Sequence, residues 1–76
     1  MKYKVIFVCY LSKRGVQHQL GFLTKVNQNI RLNDSNYLPK FMKNPLIDIE
    51  FFKTKEEALK ELNIYCPKKD IHNLID

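Results

Sequence analysis

The segment KYKVIFVCYL, residues 2–11, constrains the fold of this chain more than any other stretch. It is rich in β-branched and aromatic residues and contains neither Gly nor Pro. Such residues fit a pleated surface, and apolar side chains on both faces predict a central strand. SKRG at 12–15 follows as a turn, with Gly15 supplying a permissive backbone. VQHQLGFLTKV at 16–26 then alternates: Val16, His18, Leu20, Phe22, Thr24 and Val26 share one face, and Gln17, Gln19, Gly21, Leu23 and Lys25 share the other. That is the pattern of a half-buried strand, and the two strands make a hairpin.

After a turn at NQN (27–29), IRL (30–32) has the character of a short third strand, followed by the loop NDSN (33–36). YLPKFMKNP (37–45) holds Pro39 and Pro45, which exclude a central strand and suggest an exposed loop with one helical turn. LIDIEFF (46–52) reads as the last strand, with Ile47, Ile49 and Phe51 on one face and Asp48 and Glu50 on the other. FFKTKEEALKEL (51–62) runs from that strand into a helix. Thr54 has the N-cap position and Glu57 the capping-box spacing, while Glu56 and Glu57 lie where the helix dipole favours anions. Ala58, Leu59, Leu62, Tyr65 and Cys66 form an apolar stripe at helical spacing. Pro67 ends or restarts the helix, and Ile71, Leu74 and Ile75 have the spacing of a further helical turn or two. The expected fold is therefore α+β: one small antiparallel sheet of three to four strands, in the order β-β-(β)-loop-β-α, packed against a C-terminal helix. The second face of the sheet stays open unless a partner covers it.

Residues 1–76 form a single domain, and a chain of about this size buries only roughly 60% of its unfolded surface. No run is long and apolar enough for a membrane helix. The apolar run at 5–11 follows two lysines as a signal peptide would, but polar Ser12, Lys13 and Arg14 come at once and no small-residue cleavage site is present. A cytoplasmic location is expected. Cys9 and Cys66 are too few for a disulfide scaffold and read as reduced, structural thiols.

The net charge of +5 is unevenly placed. Residues 1–45 carry eight Lys/Arg and one acid, whereas residues 46–76 carry five Lys and seven acids. The basic part coincides with the β-rich part, which suits an anionic partner, either nucleic acid or an acidic protein surface; a Lys-rich but otherwise unremarkable soluble protein has the same bias.

No reaction class is written plainly in the residues. Cys66 and His72, with Cys9 and His18, lack the short paired spacings of zinc sites, so no metal is expected. With only Gly15 and Gly21, no phosphate-binding loop or dinucleotide fingerprint is available, and no cofactor is expected. A small endoribonuclease toxin would centre on His18 as acid or base with Lys13 and Arg14 holding phosphate, but no second acid or base is placed to partner it. A nucleic-acid-binding module would use Lys2, Lys4, Lys13, Arg14, Lys25 and Arg31 between Tyr3, Tyr10 and Phe22, although the sheet signature of RNA-recognition motifs is absent. A protein binder would use Tyr37, Leu38, Phe41 and Met42, which either tuck under the sheet or form a contact patch with Lys at its rim. A non-enzymatic binding protein is the expected class.

The outline resembles small phage-encoded inhibitors, some anti-CRISPR proteins among them. The shared features are a single domain of this size, a basic antiparallel sheet, and the strand–Thr-x-x-Glu–helix join of FFKTKEEALKEL. The resemblance covers architecture over most of the chain and no diagnostic motif. It implies a protein that blocks a host defence complex sterically or allosterically, without turnover. A basic chain cannot mimic DNA, so an acidic surface of a CRISPR effector nuclease, or RNA or DNA held by one, is the implied partner. The expected contact residues are Lys13 and Arg14 at the hairpin tip, Lys25 and Arg31, and Tyr37, Lys40, Phe41 and Lys43 in the loop.

Overall fold

A computed structural model describes residues 1–29 and 37–75. The expected third strand at 30–32, the NDSN loop and Arg31 lie outside the described residues. Within them run β1 (Tyr3–Leu11), β2 (Gln17–Lys25), β3 (Lys43–Phe52), α1 (Lys55–Tyr65) and β4 (Ile71–Asn73). They make a four-stranded sheet in the order β3-β1-β2-β4, with one helix, which is the expected α+β class.

β1 is central, as its two apolar faces require. It is antiparallel to both neighbours, with Tyr3 opposite Lys25 of β2 and opposite Phe52 of β3. Val5, Ile6, Phe7 and Val8 are all buried, two toward each side. On the helix side, Val5, Phe7 and Leu23 meet Ala58, Leu62 and Cys66. On the other side, Ile6, Val8, Leu20 and Phe22 meet Leu38, Met42 and Leu74. The second face is thus covered in part by the segment after residue 36, and the molecule has a small core on each side of β1 and β2.

The C-terminal segment differs from its expected helical turns. Cys66 caps α1 with extended backbone (φ −119, ψ 141), donating its N–H to the Leu62 carbonyl at 2.8 Å. Pro67 has no N–H to continue the ladder. A single 3-10 turn, Lys68–Asp70, intervenes, and Ile71–Asn73 then pairs with β2 in parallel, Phe22 opposite His72. Ile71 and Ile75 pack on the helix side, and Leu74 packs on the other. The working period is two, and so short an apolar run does not distinguish that from a helical one.

β3 starts at Lys43, three residues before the expected LIDIEFF. Its register against β1 shifts between Cys9 and Leu11, and Asn44 takes a left-handed conformation (φ 51). Pro45 is tolerated because β3 is an edge strand.

Candidate interaction surface

The hairpin end of the sheet gathers most of the expected contact residues. The turn there is built on Ser12. Its Oγ accepts from the Val16 N–H at 3.1 Å and from the Arg14 N–H at 3.3 Å, while its carbonyl accepts from the Gly15 N–H at 2.9 Å. Gly15 has φ +79 with open space around it, so the left-handed backbone is what the position demands. The turn holds Lys13 and Arg14 outward, both exposed.

Lys13 reaches the loop. Its Nζ stands 5.5 Å from the centre of the Phe41 ring, a cation–π contact between the hairpin tip and the segment that precedes β3. Leu38 and Met42 face inward onto the second core, whereas Tyr37 and Phe41 remain 44% and 45% exposed. The loop is therefore divided residue by residue: Leu38 and Met42 cover the second core, and Tyr37 and Phe41 stand at the surface. Lys40 is exposed beside Phe41, and Lys43 lies opposite Leu11 at the same end of the sheet.

Tyr37 and Lys25 stand apart from this patch: the Tyr37 ring lies over the middle of the sheet, 6.0 Å from Phe22 and 5.0 Å from His72. Lys25 ends β2 opposite Tyr3, eight residues from Gln17 along the strand, or about 26 Å at ordinary strand rise. It lines a separate open hollow with Met1, Lys2 and Tyr3. Arg31 lies outside the described residues.

Aromatic rings continue from the patch across the same sheet face. His18 stacks on Tyr10 at 5.3 Å, with planes 22° apart. His72 stacks on Phe22 at 5.1 Å and meets Tyr37 at 5.0 Å. Burial, with Asp70 adding to it, raises the Tyr10 phenol above its ordinary value. His18 is exposed and stacked rather than packed in a core. Among the described residues, no group of three or more His, Cys, Asp or Glu could hold a metal.

Both cysteines are free. Burial, and secondarily the charge of Asp70, pushes the Cys66 thiol up to about 11, as suits a core thiol rather than a nucleophile. Cys9 is half-buried, and its Sγ accepts from Gln17 Nε2 at 3.3 Å.

Beyond Lys43 at its start, the sequence reading gave β3 no contact role. The helix packs on the side of the sheet that carries Asp48 and Glu50, so the apolar side of β3 points away from it. Ile47, Ile49 and Phe51 are 59%, 47% and 51% exposed on that side. The readable signal was Pro45, which marks an edge strand: at an edge, an apolar alternation need not be covered. No helix among the described residues is long and apolar enough to cross a membrane. Comparison with family models, with curated proteins and with solved structures gave no match to the chain.

Proposed function

We propose that this chain is a non-enzymatic binding protein whose contact surface is the hairpin end of the sheet. It acts by steric or allosteric blockade of a protein complex with an acidic surface, of the kind a host defence effector presents to an anti-CRISPR inhibitor. The observation that carries the reading is the contact of Lys13 with a half-exposed Phe41. It makes one patch of an aromatic centre and a cationic rim out of two segments far apart in sequence. Aromatic anchors within a polar rim are the composition of protein interfaces.

Nucleic-acid binding is the second reading, favoured by one observation. The stacked pair Tyr10–His18 lies on the same face as the patch with His18 exposed, where a base would find a ring plane and nearby cations. A tagged pull-down from bacterial lysate containing a CRISPR effector, run with and without nuclease and read by mass spectrometry, separates the two. A stoichiometric protein partner that survives nuclease supports the blockade reading. Nucleic acid alone, lost on nuclease treatment, refutes it.

A further inference from the structure

The free edge of β3 belongs to a different surface, and its chemistry is specific. Among the described residues β3 pairs with β1 alone, and no described strand takes up the backbone groups on the other edge of this ten-residue strand. Its two faces differ in kind. Away from the helix stand Ile47, Ile49 and Phe51, all close to half exposed or more. On the helix side stand Asp48 and Glu50, beside a hollow of about 340 Å³ lined also by Phe7, Cys9, Leu46 and Tyr65. These two acids belong to the part of the chain, residues 46–76, in which seven acids outnumber five lysines.

No antiparallel two-fold pairing of β3 with a second copy sets a cation opposite Asp48 or Glu50, since the residues on that face are Asn44, Leu46, Asp48, Glu50 and Phe52. Antiparallel pairing of two β3 strands about a two-fold axis keeps like faces together. Centred on Ile49, it sets Asp48 opposite Glu50; centred on Asp48 or on Glu50, it sets that carboxylate opposite itself. Like charges directly opposite one another destabilise a strand pair. Self-pairing therefore either opposes like charges or, centred on Ile47, leaves Asp48 facing Leu46 and Glu50 facing Asn44, whereas a strand with cations at those positions complements both acids.

We infer that β3 is a docking edge for an extended segment of another protein in which apolar residues alternate with Lys or Arg. The added strand completes the backbone ladder. Its apolar side chains continue the Ile47–Ile49–Phe51 face, and its cations lie opposite Asp48 and Glu50, where the hollow has room for their long stems. Docking here is independent of the hairpin-end patch and stands or falls separately from it.

The test uses the whole chain and two synthetic peptides of about ten residues, the usual reach of one long strand. One alternates Val or Ile with Lys, and its counterpart carries Glu in place of every Lys. Binding is followed by backbone amide shifts in heteronuclear NMR. The Lys peptide is expected to shift the β3 amides saturably, and to bind about tenfold more tightly than the Glu peptide, since two cross-strand charge pairs change from attractive to repulsive. In the variant Asp48→Lys with Glu50→Lys, at exposed or half-exposed positions, the preference should invert, with the amide spectrum elsewhere unchanged. Equal affinity for the two peptides, shifts that avoid β3, no binding by either, or a dimer of the free chain joined through β3 would overturn the inference.

Discussion

Gly21 is where a single missing side chain decides how the helix meets the sheet. A Cβ there would collide with Leu62 Cδ2 and crowd Cys66 Sγ, so only glycine lets α1 lie this close to β2. Gly21→Ala should cost about 1–3 kcal/mol, the usual penalty of overpacking, seen as a lower urea midpoint. Thr24 presents the opposite case. It is fully buried, and its hydroxyl finds no hydrogen-bond partner among the described residues. Thr24→Val should raise stability by about 1 kcal/mol, because a hydroxyl with no partner among the described residues leaves the interior while the shape stays. Cys66 ties stability to alkaline pH. Its thiol ordinarily ionises near 9 and in the fold is pushed up to about 11. The unfolded chain therefore loses this proton first, so the contribution is complete below the lower value and lost as pH rises through the higher one. The stability gap between the protein and Cys66→Ala, measured by denaturant titration, should narrow across that window. In the sequence, Gly21 could be noticed as a glycine inside a strand, but the atoms that need its space come from a helix some forty residues on. Thr24 reads as core from its alternation, but whether its hydroxyl is paired is set by neighbours that the pattern does not name.

At the scale of elements, local chemistry carried far where it was self-contained. Thr54 accepts from the Glu57 N–H at 3.2 Å, which is half of the expected capping box, and α1 begins where that box places it. Thr54→Ala should destabilise the protein by about 1 kcal/mol, read from the thermal midpoint with helix content as a check. Of the expected apolar stripe, Ala58, Leu62 and Cys66 are buried; Tyr65 is 55% exposed yet sets its ring edge on Phe7 at 5.9 Å. The central place of β1 was equally legible, since only neighbours on both edges and cover on both faces suit its residues. β4 was not. Its three residues become a strand because β2 offers a free edge after Pro67 stops the helix, and that offer is tertiary. The loop at 37–42 showed the same limit: its composition left cover and contact both open, and the structure divides them residue by residue, with Leu38 and Met42 inward and Tyr37 and Phe41 outward.

Over the whole molecule, the charge bias of the sequence becomes a geometry. The excess of cations in the first 45 residues reaches the surface at two ends of the sheet, with Lys13, Arg14, Lys40 and Lys43 at one and Lys2 and Lys25 at the other. Charge alone could not say which end matters, because it contains no distances. The Phe41 contact distinguishes them: Phe41 stands exposed at the hairpin end and is held against Lys13, whereas exposed Phe51 near the other end makes no cation–π contact among the described residues. The central claim is that this end is the binding surface. Its most direct test is the partner affinity of Lys13→Glu with Arg14→Glu and Phe41→Ala, set against Lys25→Glu as a charge reversal at the far end. At least a tenfold loss is expected for the hairpin-end variant, as for removal of an interface anchor with its rim charges, with little change for Lys25→Glu. Equal affinity for both variants, or a loss confined to Lys25→Glu, would contradict the account.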